Sequence, residues 1–302
     1  TILDYSVEGK SIEDDFNRVT KETTQTILKA KENDNIPFAV FKISGLARLE
    51  LLEKVSNSKM ELNKEEKKEF KRVKERINLI CTTAHKNNVR LFIDAEESWI
   101  QDAIDEIVIS MMRKYNSERA IVFNTLQMYR WDRLAFLKQS YADAENGNYF
   151  LGLKIVRGAY LEKERERAKK MGYPSPIQKD KESCDNDYNL ALRFCMNHID
   201  KIALCAGTHN EQSSILLTQL MDENNILKND QRVYFSQLLG MSEHISFNLS
   251  NNEYNVAKYM PYGPIKDVLP YLIRRAEENT SIAGQTGREL SLIIKEKKRR
   301  AQ

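Results

Sequence analysis

Eight short apolar runs, separated by charged helical patterns and spread over 302 residues, predict an α/β protein built as a (β/α)8 barrel. Three observations carry this. Strand and helix alternate along the whole chain; the alternation occurs eight times; and such barrels need roughly 250 residues, with room for insertions. The strand runs are 1–5, 38–44, 90–94, 120–127, 150–156, 202–206, 233–237 and 255–259. Between them lie amphipathic stretches such as SIEDDFNRVTKETTQTILKAKEN and KKEFKRVKERINLICTTAHKNN. An open doubly wound sheet shows the same alternation, so count and length decide for the barrel. No G-x-G-x-x-G follows any strand, which argues against an open dinucleotide fold. No linker divides the chain, and residues 1–302 read as one domain.

Composition excludes several functions. Hydrophobic residues make up 41%, enough for a large core. Forty-seven basic residues against 44 acidic ones leave +3, too small a surplus for nucleic acid as the main partner. No apolar run is long enough to span a bilayer. The four cysteines show no CxxC spacing, and reduced thiols in an intracellular protein are expected. No H-E-x-x-H, metal-ligand spacing or P-loop occurs, so neither a metal site nor nucleotide hydrolysis is expected. The chain opens at Thr1, directly ahead of an apolar run, which reads as a start inside a longer protein. The charged stretch 59–76 reads as a solvated helix face with interleaved ion pairs.

In a barrel, chemistry sits at the C-terminal ends of the strands. Polar residues gather there: Lys42 in the second run, Asp94 and Glu96 at the third, Gln127 and Tyr129 at the fourth, Lys154 and Arg157 at the fifth. Thr208, His209 and Asn210 follow the sixth run, Gln237 ends the seventh and Tyr259 the eighth. A lysine inside a barrel strand is costly unless paired, and Asp94 on the adjoining strand is a candidate partner for Lys42. Each residue alone has an ordinary explanation as a cap or loop. Together they indicate a ligand site without naming the ligand. Beyond the last run, Arg274 and Arg275 share a helical pattern with Glu278, and adjacent arginines suit a substrate carboxylate.

The segments ILDYSVEGK, FKISGLAR, FIDAEES, NTLQMYR, GLKIVRGAYLEKER, AGTHN, FSQLLGM and YMPYGPIKDVLPYLIRRAEEN together resemble the proline dehydrogenase (proline oxidase) family over nearly the whole chain. KIVRGAY combined with PYLIRRAEEN is the most specific part. The resemblance is to the monofunctional type, trimmed at its N-terminus. It implies a distorted TIM-like barrel with the final helix above the mouth, holding FAD without a Rossmann motif. It further implies hydride transfer from C5 of L-proline to the flavin, giving Δ1-pyrroline-5-carboxylate, with a membrane quinone as electron acceptor.

Carried over by position, the resemblance makes Arg274, Arg275 and Lys42 the basic pocket for the proline carboxylate. Glu278 would orient the arginines, and Asp94 would hold the network around Lys42. Tyr259, Tyr271, Ala159, Tyr160 and Leu239 would wall the pyrrolidine ring. Gln127 and Lys154 would address the isoalloxazine, while Val156, Gly158, Thr208, His209, Asn210 and Gln237 would line the rest of the cofactor. Lys154 stands where some members carry arginine. No side-chain base for the proline amine is evident, so its proton is expected to go to solvent. The implied location is cytoplasmic, peripheral at the inner membrane, for a bacterial protein, and the mitochondrial matrix side for a eukaryotic one.

Three other readings compete. Hydroxyproline oxidation would need room where Tyr259 crowds C4. A silent proline sensor would not be expected to keep the whole polar set. A membrane-surface role for ELSLIIKEKKRR competes with a terminal helix packed on the barrel, which is the expectation.

Overall fold

The computed structural model describes residues 1–7, 9–57, 60–266, 268–269, 272–273 and 285–300. Eight parallel strands close into a barrel in sequence order, with the first strand paired to the last. They are β1 (Ile2–Tyr5), β2 (Phe38–Lys42), β3 (Arg90–Asp94), β4 (Val122–Gln127), β5 (Leu151–Val156), β6 (Ile202–Gly207), β7 (Val233–Leu238) and β8 (Val256–Tyr262). Every predicted run holds a strand. Its alternative, the open sheet, is excluded by the β1–β8 pairing, which sets Ile2 opposite Tyr259 and Asp4 opposite Pro261.

Helices return the chain between strands. They are α1 (Glu13–Lys31), α2 (Leu49–Ser56), α3 (Lys64–Lys86), α4 (Ser98–Tyr115), α5 (Arg133–Asn146), α6 (Leu161–Met171), α7 (Lys181–Asn197), α8 (Glu211–Glu223) and α9 (Glu243–Asn251). Their ends follow local chemistry. Asn63 and Glu66 form a reciprocal capping box at the start of α3, and Gly172 closes α6 in the left-handed region at φ +73°.

Two-residue alternation along the strands divides the core. One set of side chains, including Ala39, Phe41, Leu91, Ile93, Leu153, Ile155, Leu204 and Phe235, packs outward against the helices. The other fills the barrel. Phe38 and Phe92 stack with centroids 4.2 Å apart, and Phe123 and Tyr234 meet Phe38 edge-on at 5.6 and 4.9 Å. This aromatic floor closes the lower barrel, with Arg90 lying over the Phe38 and Tyr234 rings at the N-terminal end of β3, and the polar cluster described below lies above it.

The charged stretch ahead of and within α3 does more than face solvent. Lys71 and Glu75 form the expected i,i+4 pair at 3.8 Å, but Glu69 binds Arg48 at 2.7 Å, Glu66 binds Lys54 at 2.5 Å and Arg72 binds Glu13 at 2.7 Å. These pairs tie α3 to α1, to α2 and to the residue preceding α2. All four cysteines are buried and free. In the terminal helix α10 (Gln285–Arg300), Ile293 and Ile294 are 64% and 46% exposed, so these two side chains are not buried against the barrel. No helix among the described residues is long and apolar enough to cross a membrane.

Candidate functional site

The inward face of the strands turns polar at their C-terminal ends. Lys42 follows Phe38 and Val40 on the same face of β2, and Asp94 follows Phe92 on β3. Register sets Lys42 directly beside Asp94. Yet among the described residues Asp94 pairs with Lys154, reaching across from β5. Lys42, the candidate partner from the sequence, is not the residue that makes this bond. Strand adjacency favours Lys42, but a lysine stem is long enough to cross the barrel. Lys154 also donates to the Tyr259 hydroxyl at 2.6 Å, and that hydroxyl lies 3.1 Å from the same Asp94 oxygen. The ammonium lies over the rings of Tyr259 and Phe92, 4.6 and 5.1 Å from their centroids. The structure therefore joins β3, β5 and β8 through three side chains. Burial, then the charges of Asp94 and Asp4, hold the Tyr259 phenol well above its ordinary value, so it remains a neutral donor.

Asp4 was not singled out from the sequence. It is 1% exposed on β1, with one carboxylate oxygen accepting from Ser6 Oγ at 2.7 Å and the other without a partner. Burial raises its carboxyl above the normal range, opposed first by the charge of Lys42 and then by Ser6 and Lys154. A signal was available: Ile2 and Asp4 share a strand face, so an acid follows an inward apolar residue.

Glu96, two residues past Asp94, is buried and gripped by Ser44. Its Oε1 accepts from the Ser44 amide at 2.9 Å, and its Oε2 from the Ser44 hydroxyl. Burial and the charge of Glu97 push this carboxyl up to about 8. Gln127 donates to the Glu96 carbonyl at 2.7 Å and offers its oxygen to the Ala159 amide at 3.4 Å.

The rim beyond β5 and β6 is where a ligand can reach the backbone. Val156, Gly158, Ala159, His209 and Asn210 are half-buried, whereas the strand interiors beneath them are sealed. Gly158 sits at φ +139°, and a Cβ there would run into the Tyr129 ring at 2.4 Å, so the turn requires glycine. Asn210 caps α8, accepting from the Ser213 amide at 3.0 Å. Arg157 braces the rim: it donates to Asp185 at 2.6 Å, Thr208 Oγ1 at 2.6 Å and Ser213 Oγ at 3.0 Å, and lies over the Tyr188 ring. From the sequence Arg157 is legible only as a polar residue within KIVRGAY, without these partners.

The half-buried rim residues, the capped N-terminus of a 13-residue helix and the polar groups of Gln127, Lys154 and His209 suit an anionic, ring-bearing cofactor such as FAD. His209 Nδ1 lies 3.1 Å from Ser242 Oγ. Gln237 stands apart from the open rim: it is 2% exposed, bonded to the Thr208 carbonyl at 3.2 Å and to Ser246 of α9 at 2.9 Å. Tyr160 is buried at the start of α6, and Leu239 is half-exposed just past β7. Tyr271, Arg274, Arg275 and Glu278, and with them the helix expected above the mouth, lie outside the described residues.

A family model described as proline dehydrogenase matches residues 1–288. Mitochondrial proline dehydrogenase 1 of Drosophila melanogaster is 38% identical over 245 residues, which cover 78% of this chain and 36% of that protein. The carbapenem antibiotics biosynthesis protein CarD of Pectobacterium carotovorum subsp. carotovorum is 34% identical over 299 residues, 99% of this chain and 77% of that protein. The crystal structure of proline utilization A from Bdellovibrio bacteriovorus, inactivated by N-propargylglycine, matches with a TM-score of 0.81 over 93% of this chain and 30% of that one; at 18% identity this is a likeness of fold. The chain thus spans only about a third of the fly protein and of proline utilization A. A match running from the first strand through residue 288 settles the kinship: this chain belongs to the proline dehydrogenase family.

Proposed function

We propose that the barrel oxidises L-proline to Δ1-pyrroline-5-carboxylate with FAD as cofactor, and that the electrons pass to a membrane quinone. The observation that carries this reading is the Lys154–Asp94–Tyr259 linkage across the mouth, in a chain of this family. FAD, when bound, supplies a two-electron acceptor for the hydride leaving C5 of proline. The remaining work is positioning. Tyr259, locked by a donor and an acceptor at once, presents one ring face as a fixed wall for the pyrrolidine. Lys42 adds positive charge on the side where Arg274 and Arg275, by family resemblance, take the carboxylate. Lys154 and Gln127 stand at the flavin edge, while Val156, Gly158, Thr208, His209 and Asn210 hold the rest of the cofactor. The buried aromatic floor excludes water from below. The amine proton leaves to solvent through the mouth.

Tyr259 also favours proline over 4-hydroxyproline. Its hydroxyl is held in place by two bonds, so it does not turn aside for a ring hydroxyl and its proton is already committed to Asp94. The test is a visible spectrum of the FAD-loaded protein before and after anaerobic addition of L-proline. Flavin bands should bleach with proline and less with hydroxyproline. Bands that persist with proline would refute the assignment.

A further inference from the structure

We infer that Glu96 is a positioning residue for the substrate pocket: its carboxyl grips the turn behind Lys42, and through Lys42 it sets the affinity for the substrate carboxylate. This rests on the function proposed above.

The geometry is local and specific. Lys42 is the last residue of β2, and the chain passes at once into a tight turn, Ile43–Gly45. Turns after barrel strands are normally the mobile part of the rim. Here Ser44 meets Glu96 twice, amide to Oε1 at 2.9 Å and hydroxyl to Oε2. Both residues are 1% exposed, so water does not compete for these bonds. Glu96 is itself anchored: its amide donates to Gln101 Oε1 at 2.9 Å, Gln101 donates to Asp105 at 2.9 Å, and Arg133 closes on Asp105 at 2.6 Å. A rigid chain of buried bonds thus runs from α4 and α5 to the residue two places past Lys42. The Glu96 carbonyl holds Gln127 at 2.7 Å, so one residue fixes the substrate side and the flavin side relative to each other.

Glu96 also affects Lys42 electrostatically. The groups around it are Lys42 on β2 and Glu97 in its own loop, the latter ion-paired to Lys163 of α6. As a neutral acid, Glu96 keeps both of its contacts with Ser44 and leaves the charge of Lys42 undiminished for the substrate. Its ionisation, near pH 8, places a negative charge beside that lysine and weakens its pull on a carboxylate.

The test uses FAD-loaded wild type, Glu96→Gln, Glu96→Ala and Ser44→Ala. Two readouts are needed: steady-state kinetics with proline, and the Kd for a ring-oxygen analogue of proline, which has the carboxylate but no amine to oxidise. Wild type must first bleach with proline; if it does not, the functional reading fails and this proposal falls with it. In an active protein, Glu96→Ala should raise both KM and the analogue Kd by about tenfold or more while the flavin spectrum shows the cofactor retained. Glu96→Gln, which keeps an acceptor for the Ser44 amide and a donor for its hydroxyl, should stay within about twofold at pH 7. Between pH 7 and pH 9 the ratio of wild-type to Glu96→Gln kcat/KM should fall by about threefold or more, and the proline amine's own titration cancels in that ratio. Should Glu96→Ala not fold, Ser44→Ala decides: it should raise the analogue Kd about two- to threefold. An unchanged Kd in the folded alanine variants, or a flat ratio across pH, would overturn the proposal.

Discussion

Replacing Asp94 by alanine tests the centre of the site most directly, because it leaves the Lys154 ammonium without its counter-ion in a nearly dry barrel. The Lys154 side chain is 5% exposed and that of Asp94 13%. Breaking such a pair from one side costs about 3–5 kcal/mol, since the remaining charge keeps its desolvation penalty and loses its compensation. Two contacts survive. The Tyr259 hydroxyl still accepts at 2.6 Å, and the Tyr259 and Phe92 rings still face the ammonium. They offset roughly 1 kcal/mol, which places the expected loss near ~3 kcal/mol. In urea, with m near ~3 kcal/mol/M for a chain of this size, the midpoint should fall by about 1 M. FAD must be held at one saturating concentration throughout, because ligand binding shifts apparent stability. Adding Lys154→Met removes the stranded charge, and the double variant should recover most of the loss. A single-variant loss under about 1 kcal/mol would put the pair in the class of solvated surface bridges. A double variant no more stable than the single one would refute the stranded-charge account.

Tyr259→Ser should open the C4 side of the pocket and shift the ratio of kcat/KM values toward hydroxyproline; equal loss on both substrates would remove the steric argument. Arg275→Ala should raise KM for proline with flavin still bound, as loss of a carboxylate clamp requires, and an unchanged KM would exclude that role. Arg157→Met cuts the brace on Thr208 and Ser213 and should weaken FAD binding by about tenfold, read by titrating the stripped protein with FAD. Burial raises the Glu96 carboxyl from an unfolded value near 4.5 to about 8. The folded state therefore holds a proton that the unfolded state has lost, so this group's contribution to stability is complete below pH 4.5 and declines to pH 8. The slope approaches ~1.4 kcal/mol per pH unit. Glu96→Gln should flatten that part of the stability–pH profile, and an unaltered slope would contradict the assignment.

The fold was legible because its two signals are local. Eight apolar runs set the strand count, and the boundaries missed by one to three residues: four runs start early, 38–44 runs past the end of β2 into the following turn, and β8 continues from Tyr259 to Tyr262. Pairing order needed no guess once the barrel closed in sequence order. The terminal helix was less legible. LSLII beside KEKKRR fits a packed helix and an exposed one equally well, and periodicity does not say what lies opposite a face. The exposure of Ile293 and Ile294 decides that point for those two residues.

At the site, residue types were legible and partners were not. An acid or lysine on the inward face of a strand must find a counter-charge there, and that reasoning located Lys42 and Asp94, while Lys154 stood out only as a polar residue in its strand. The same reasoning pairs Asp94 with the wrong lysine, because the strand-neighbour rule ranks by backbone distance while a lysine stem spans the width of the mouth. The same limit hid Glu96 and Asp4. Glu96 read as a strand-end carboxylate, and nothing in FIDAE says that its two oxygens are taken by a serine fifty-two positions upstream. Asp4 needed the alternation ILDY to be read together with a barrel of known register, since only closure against β8 makes β1 an interior strand with no polar edge to serve. Long-range polar partners follow from closure, and closure is a property of the whole ring of strands. Sequence therefore identifies which side chains must pair, and the closed barrel determines with whom.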